Sequence, residues 1–204
     1  MNKSVQKERI RRVFIDSAKS LIKGEGISAL TVRNLAADTG YSYTTLYGYF
    51  KNVNILTEIA LSEFTAELLK ETWEGVGSIQ PGKERVYPIV WNFCKYFIQY
   101  PGLFQILFLM KKSEIPGKEI RVDRAYFLLD ELWKEDWKVI EKEKSKDHSD
   151  KQVKMVSDLL KDCVIGFLTV YLTSRNTLNF SDFRKELNSK VDFLLNIYHR
   201  NESL

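Results

Sequence analysis

Apolar residues recur at steps of three and four along nearly the whole chain, and this spacing constrains the fold more than any other feature. In the first segment the stripe is one face of a helix with 3.6 residues per turn; its members are Ile10, Val13, Phe14, Ala18, Leu21 and Ile22. Glycines, prolines and short polar runs interrupt the pattern and mark turns. The alternation typical of strands does not appear. The sequence therefore predicts an all-α protein of about nine helices.

The interruptions also set the expected helix boundaries. Gly24 and Gly26 are expected to end the first helix, Thr31 and Gly40 to bracket the second, and Ser42 to cap a third, 43–49. The later helices are expected at 53–73, 83–100 with a kink near Pro88, 103–110 after a turn at Pro101-Gly102, 120–144, 153–173, and from a Ser181 cap to His199.

The most informative stretch is LTVRNLAADTGYSYTTLYGYF, residues 30–50. Two short helices joined by a glycine turn form a helix-turn-helix only if they cross closely. Ala36 provides the small side chain for that crossing, and Gly40 tolerates the positive φ of the turn. Leu35, Tyr41 and Leu46 provide the apolar contacts between the helices. The stretch therefore predicts a DNA-reading head.

Here the sequence resembles the TetR family of one-component repressors, from about Arg9 through Leu56. The family pattern "LTVR-IA---G-S--TLY-YF" is nearly complete between Leu30 and Phe50. The match weakens after it, because Val53 stands where the family often has a lysine at a helix start that touches a phosphate. Lys51 is expected to take over part of that contact. The resemblance implies a head at residues 1–52 and a helical ligand-binding and dimerisation domain at 53–204.

Position within a helix-turn-helix assigns the expected DNA contacts. The second helix lies in the major groove with its N-terminal residues against base edges, so Tyr43, Thr44 and Thr45 are the candidate base readers. Arg33 is expected to reach the groove or its edge. The residues better suited to phosphates are Thr31, Ser42, Tyr47, Tyr49 and Lys51. Three alternatives stay open: Tyr47 as core, Ser42 as a cap only, and Arg33 as an ordinary solvated side chain.

Two substitutions separate these roles. Thr45→Ala is predicted to change base preference. Lys51→Ala is predicted to weaken binding to all sequences and to lower the slope of affinity against salt by about one unit.

Charge supports the same assignment. The chain has a net charge of +4, but residues 1–51 contain nine Lys/Arg against four Asp/Glu, so this segment is at +5 and the remainder at −1. A basic head on a nearly neutral body is expected to meet a polyanion, here double-stranded DNA. The alternative is a cationic surface that is merely solvated.

The remaining sequence contains no catalytic constellation and no glycine-rich phosphate loop, which predicts that the protein is not an enzyme. Cys94 and Cys163 are separate and flanked by apolar residues, and His148 and His199 stand alone, so no metal site, cofactor or disulfide is expected. The chain starts without a signal-like apolar stretch, and its longest apolar run, 163–172, is too short to span a bilayer. A cytoplasmic protein without membrane contact is expected.

The last two predicted helices are apolar on more than one face. The stripe of the first consists of Val156, Leu159, Leu160, Cys163, Val164, Phe167, Leu168 and Tyr171, and that of the second of Phe183, Leu187, Val191, Leu194, Leu195 and Tyr198. Such helices need burial on several sides. The family resemblance implies that they pair with a second copy in a four-helix bundle, giving a homodimer suited to a palindromic operator. A monomer with a thick core is the alternative.

Aromatic residues make up 13% of the chain, and many fall within this C-terminal region. The family resemblance implies a pocket for a small, largely hydrophobic or aromatic inducer that releases DNA. The candidates for lining it are Trp91, Phe104, Phe108, Phe127 and Phe167, with core packing as the alternative for each. Asp162 and Glu63 are the acids that would serve a cationic ligand if buried. The alternative function is a regulator controlled by a protein partner or by no ligand.

Overall fold

The computed structural model describes residues 3–111, 115, 123–142, 150–173 and 178–200. Within them the chain is helical and contains no strand, which confirms the all-α prediction. The helices are α1 (Lys3–Glu25), α2 (Val32–Thr39), α3 (Tyr43–Tyr49), α4 (Val53–Trp73), α5 (Lys83–Gln99), α6 (Pro101–Phe104), α7 (Asp123–Lys142), α8 (Asp150–Leu172) and α9 (Phe180–Arg200). A 3-10 turn, Ile27–Ala29, precedes α2, and a π-helical turn, Gln105–Leu109, follows α6.

Three helix ends differ from the sequence prediction. Helix α1 continues through Gly24 and ends at Glu25. Gly26 follows with a left-handed φ of 84°, and its N–H donates to the Ile22 carbonyl at 3.1 Å. Pro101 does not precede a helix but opens α6, because a proline lacks only an N–H that the first turn leaves unpaired. Asn179, rather than Ser181, caps α9: its Oδ1 accepts the Asp182 N–H at 2.9 Å.

The other boundaries agree with the sequence within a residue or a few, and Pro88 does lie inside α5. The predicted ends of the seventh helix, at residues 120 and 144, lie outside the described residues. Cys94 is a buried free thiol and Cys163 a half-buried one. Within the part of the chain that the structure describes, no helix combines the length and apolar character needed to cross a bilayer.

The chain divides by packing into two compact units. The first draws on Met1–Glu67 and Tyr100–Ala125, and the second on Leu68–Gln99 and Tyr126–Leu204. Packing alone does not test the functional boundary expected between residues 52 and 53, which stays a prediction.

In the second unit a buried ion pair joins α5 to α7. Arg85 donates from Nε and Nη2 to the two carboxylate oxygens of Asp136 at 2.8 and 3.0 Å, and Asp136 also accepts the Gly82 N–H at 2.9 Å. Asp136 is fully buried. A buried charge is tolerated when it is paired and hydrogen-bonded on all sides, so this pair fixes the register of the two helices.

Candidate nucleic-acid interface

Helix α2 begins where a side chain replaces a missing backbone partner. Thr31 is its N-cap, and Thr31 Oγ1 accepts the backbone N–H of Asn34 at 3.1 Å. The first N–H groups of a helix have no partner within it, so this bond defines where α2 starts. Asn34 Nδ2 then donates to the Ala29 carbonyl at 2.8 Å, which joins the cap to the preceding 3-10 turn.

The turn between α2 and α3 depends on one glycine. Gly40 has φ 71° and ψ 6°, and its N–H donates to the Ala36 carbonyl at 3.0 Å. A residue with a Cβ pays about 1–2 kcal/mol in this left-handed conformation. Thr39 Oγ1 donates to the Leu35 carbonyl at 2.6 Å and closes the last turn of α2. Gly40 is therefore a structural residue of the motif.

Ser42 caps α3. Its Oγ accepts the Thr45 backbone N–H at 3.1 Å and lies 2.9 Å from Thr45 Oγ1. The capping role that the sequence assigned to Ser42 is thus observed, and its phosphate contact stays a prediction. The Thr45 hydroxyl has a partner within the cap before any DNA is present.

A small apolar core holds α2 and α3 on α1. Leu35 and Leu46, one from each helix of the motif, are fully buried, as is Phe14 of α1. The ring of Phe14 lies 5.6 Å from that of Tyr41 and 6.4 Å from that of Tyr49, centroid to centroid. Tyr49 is half-buried, so part of this predicted phosphate ligand serves the core.

The opposite face of α3 is open to solvent. Tyr43 is 52% exposed and Tyr47 is 53% exposed, one helical turn apart on the same face. Thr44 is exposed beside them, and Thr45 is half-buried. Tyr47 therefore lies on the surface and not in the core. The helix presents two phenols and a threonine hydroxyl, groups that donate and accept hydrogen bonds as base edges and phosphates require.

Two exposed cations flank this face in the sequence. Arg33 in α2 and Lys51 after α3 are exposed, and neither forms an ion pair within the described residues. Asn52, next to Lys51, caps α4: its Oδ1 accepts the Ile55 N–H at 3.1 Å. This cap was not predicted from the sequence, where Val53 was compared with a lysine. An asparagine directly before a helix was the available signal.

The long helices of the same unit carry what we call the ion-pair ladder. It joins Arg12, Lys19 and Lys23 on α1 to Glu63 and Glu67 on α4. Arg12 Nη1 lies 2.7 Å from Glu63, Lys19 Nζ 2.9 Å from Glu63, and Lys23 Nζ 2.8 Å from Glu67, while Lys19 also bonds Glu67. Glu63 and Glu67 keep only 28% and 31% of their side chains exposed.

The ion-pair ladder shifts the pKa values of Glu63, Glu67 and Lys19. Burial alone would raise the pKa of Glu63, but hydrogen bonds from Arg12 and Lys19 outweigh it and hold that pKa below 4.5. The pKa of Glu67 is lowered in the same way, against burial, by Lys19 and Lys23. Burial likewise opposes the charge of Lys19, yet its two carboxylate partners raise its pKa overall.

These pairs revise the charge argument made from the sequence. Three of the nine basic residues of 1–51 form ion pairs with two acids that lie outside that segment. Of the nine, those without an ion pair among the described residues are Lys3, Lys7, Arg9, Arg33 and Lys51. The cations available to a polyanion are thus fewer than the composition indicates, and they are confined to the start of α1 and the surroundings of α3.

Two of the five aromatic candidates for a ligand pocket belong to the first unit and three to the second. In the first unit, buried Phe104 stacks on half-buried Phe108 at 4.9 Å. In the second, Trp91 is nearly buried beside Phe180, Phe167 stacks on Phe183 at 4.8 Å, and Phe127 is 55% exposed. Their assignment to one pocket stays a prediction.

A surface groove runs between α8 and α9 in the second unit. Its volume is about 520 Å³, and its lining consists of Leu159, Asp162, Cys163, Ser189, Lys190, Phe193 and Leu194. Several large apolar side chains on these two helices are exposed, Phe193 at 63% and Leu159 at 46% among them. None of the five aromatic candidates lines this groove.

Comparisons with known proteins agree with the helix-turn-helix. The model of the family described as bacterial regulatory proteins, tetR family, matches residues 14–53. No curated protein sequence gives a significant match. Among solved structures, a tetR-family transcriptional regulator from Streptomyces coelicolor superposes with a TM-score of 0.74 at 13% identity, covering 96% of this chain and 84% of its own.

Two further structures are similar over nearly their full length. The fatty acid degradation regulator FadR from Bacillus halodurans has a TM-score of 0.63 at 16% identity, with 91% of this chain and 94% of its own covered. A Saccharomonospora viridis protein, named as a transcriptional regulator and solved in complex with choline, has a TM-score of 0.65 at 16% identity, with 91% and 96% covered. At these identities the likeness establishes a shared fold.

Proposed function

We propose that this chain, a DNA-binding transcriptional regulator of the TetR family, acts as a homodimeric repressor that binds a palindromic operator and releases it on binding a small molecule. The match of residues 14–53 to the tetR family model and the shared fold support the family assignment. The repressor role, the dimer and the ligand are the proposal.

The observation that carries DNA recognition is the exposed face of α3. Tyr43, Thr44 and Tyr47 are held outward by a capped helix that buries Leu46. The unpaired cations Arg33 and Lys51 lie in α2 and directly after α3. Phosphate contacts from the cations and tyrosines would set the register on the duplex, and the first turn of α3 would read bases.

A gel shift tests this directly. The probe is duplex DNA from upstream of the protein's own gene, and a scrambled duplex of equal length is the reference. We expect tighter binding to the upstream fragment and loss of that preference in Tyr43→Ala/Thr44→Ala. Equal binding of the two duplexes at every upstream segment tried would contradict operator recognition. Circular dichroism checks that the double variant keeps its helices, because both side chains are exposed.

The exposed apolar side chains of α8 and α9 support the homodimer. They follow one stripe of α8 at Met155, Leu159 and Val170, and Gly166 lies on the same stripe with no atom within 4 Å of where its Cβ would be. A glycine inside a helix costs about 1 kcal/mol relative to alanine. Close approach of a second helix backbone is a physical reason to retain one. Exposed apolar stripes on a folded unit mark association surfaces.

The ligand class follows from charge as well as from apolar residues. Choline is the ligand in the Saccharomonospora viridis structure, but the acids suggested here for a cation are otherwise engaged: Glu63 pairs with Arg12 and Lys19, and Asp162 is exposed and accepts the Tyr126 hydroxyl at 2.6 Å. A neutral, largely apolar ligand is therefore favoured.

Release of DNA would be a population shift. The ligand must bind the state with low operator affinity more tightly than the state with high affinity, because equal affinity shifts nothing. Helix α4 is the covalent link, since it starts after the helix-turn-helix and its last residues belong to the second unit. Operator affinity measured with a panel of apolar and aromatic compounds tests the step. Unchanged affinity across the panel would favour the alternative, a regulator controlled by a protein partner or by no ligand.

A further inference from the structure

The face of α1 that packs on the helix-turn-helix changes from buried apolar residues to lysines toward the N-terminus of the helix. Phe14, Ala18 and Ile22 recur every four residues on that face and are fully buried. Two and three helical turns before Phe14, the same side of the helix carries Lys7 and Lys3. Positions that elsewhere bury apolar side chains are therefore occupied by lysines.

These first turns of α1 extend past the core that the helix packs against. Every residue from Lys3 to Arg9 is exposed, including Val5 at 61%. Tertiary packing supplies most of the stability of helices in proteins, and these two turns receive little of it. We call Lys3, Lys7 and Arg11 the basic overhang, because they share this side of the helix. Glu8 is the one acid among residues 3–11 and bonds Arg11 at 3.4 Å on the surface.

One contact locates the overhang relative to the DNA-reading motif. The Arg11 guanidinium lies 5.6 Å from the centroid of the Phe50 ring, immediately after α3 and beside Lys51 in sequence. With a rise of 1.5 Å per residue, Lys7 lies about 6 Å and Lys3 about 12 Å further along the α1 axis. The basic overhang thus starts beside Phe50, at the C-terminal end of α3, and continues toward the N-terminus of α1.

The ion-pair ladder sharpens the contrast between the two parts of α1. Arg12, Lys19 and Lys23 have carboxylate partners on α4, whereas Lys3 and Lys7 have no ion pair among the described residues. Within one helix, the cations that face α4 are neutralised and those that precede the core are left charged and solvated. A charged helical stripe beside a DNA-reading helix, with two lysines that have no ion pair among the described residues, matches the regular negative charge of a duplex backbone.

We propose that the basic overhang is a second DNA contact of each head, binding phosphates that flank the segment read by α3. This inference rests on the proposed function, since it requires that the protein binds duplex DNA. The contact is sequence-independent, because lysines on phosphates set affinity and register but do not distinguish bases. It adds Lys3, Lys7 and Arg11 to the residues that hold the protein on its operator.

The test is the salt dependence of binding to the upstream duplex and to the scrambled duplex. Each lost phosphate contact lowers the slope of log affinity against log salt by about 0.9. Lys3→Ala/Lys7→Ala is expected to reduce the slope by about two units per bound head on both duplexes and to leave the ratio of the two affinities unchanged. The matched control, Lys70→Ala/Lys95→Ala, removes the same charge from exposed sites on α4 and α5, and its slope should stay near that of the unmodified chain.

A conservative variant separates charge from helix structure. Lys3→Arg/Lys7→Arg keeps both cations and should retain the full slope, and circular dichroism of the alanine variant should show that α1 persists. An unchanged slope in Lys3→Ala/Lys7→Ala, or an equal loss in the Lys70/Lys95 control, overturns the proposal. If the unmodified chain binds no duplex DNA, the proposed function itself fails. If the unmodified chain binds DNA and Lys3→Ala/Lys7→Ala has the same salt slope, only the further inference fails.

Discussion

At the scale of single residues, two of the predicted base readers, Thr44 and Thr45, have different surroundings in the structure. Thr44 is exposed on α3, whereas the Thr45 hydroxyl lies 2.9 Å from Ser42 Oγ in the helix cap. Removing the Thr45 hydroxyl therefore alters the cap as well as any base contact. Removing the Thr44 hydroxyl leaves the cap intact and changes only the exposed surface of α3.

We expect Thr44→Ala to change base preference with little loss of stability. One hydroxyl and one methyl that face the groove disappear, and a good contact to a base edge is worth about 1–3 kcal/mol of discrimination. Thr45→Ala should also change preference, but with about 1 kcal/mol of destabilisation from the weakened cap. Selection of bound sequences from a random pool, with thermal unfolding of each variant, separates the two. An unchanged consensus in Thr44→Ala would exclude it as a base reader.

Lys51→Ala should weaken binding to every duplex by a similar factor. Its ammonium is exposed and has no acid partner among the described residues, so loss of one phosphate contact should lower the salt slope by about one unit per bound head. Affinities measured over a salt series give the slope. A Lys51→Arg variant serves as the control, and an alanine variant with the original slope would remove Lys51 from the phosphate contacts.

At the scale of elements, the pairing of α1 with α4 depends on charge more than the apolar pattern indicates. The ion-pair ladder runs along both helices, and its carboxylates are only about one-third exposed. Because Glu63 and Glu67 have lowered pKa values when folded, their contribution to stability is present above the ordinary value of 4.5 and is lost as pH falls through the lowered values.

Glu63→Gln/Glu67→Gln should therefore destabilise the protein near neutral pH by about 1 kcal/mol, the scale of a partly exposed network. The difference from the unmodified chain should shrink below pH 4.5 and vanish once both carboxyls are protonated. Urea unfolding at a series of pH values measures it. Glu8→Gln, which affects a solvated pair on α1, should show little change, and a difference that persisted at low pH would show that the ladder acts through packing and not through charge.

At the scale of the whole molecule, α8 and α9 carry exposed apolar side chains that the proposed dimer would bury. Phe193 lines the groove between the two helices and is 63% exposed. If the protein is the proposed dimer, Phe193→Asp should convert it to a monomer and weaken operator binding, because a dimer holds two half-sites at once. Light scattering after gel filtration gives the mass.

Gly166 provides an independent test of the same face. Gly166→Leu should block dimerisation by preventing close approach of the partner helix, and the monomer should fold, since nothing lies within 4 Å of the new Cβ. Gly166→Ala, with a smaller side chain and a better helix propensity, is the matched control. A Gly166→Leu variant that remained dimeric would place the interface elsewhere.

The sequence by itself determined the elements and the motif. The apolar period and the turn residues were sufficient to predict α2, α3 and α4 within a residue, because Thr31, Gly40 and Ser42 act on their own backbone. Caps and left-handed turns are local interactions, and the residues that make them lie within four positions of the groups they satisfy. Where the local signal was ambiguous, as at Ser181 against Asn179, the prediction was wrong by two residues.

Only the tertiary structure decided which cations remain available to DNA. Arg12, Lys19 and Lys3 are indistinguishable in a count of charges, yet two are neutralised by Glu63 and Glu67, more than forty residues away, and one projects unpaired from the overhang. The same holds for Thr45, whose hydroxyl is engaged, and Tyr47, which is exposed. Burial and ion pairing depend on which distant segments meet, and spacing along the chain does not contain that information.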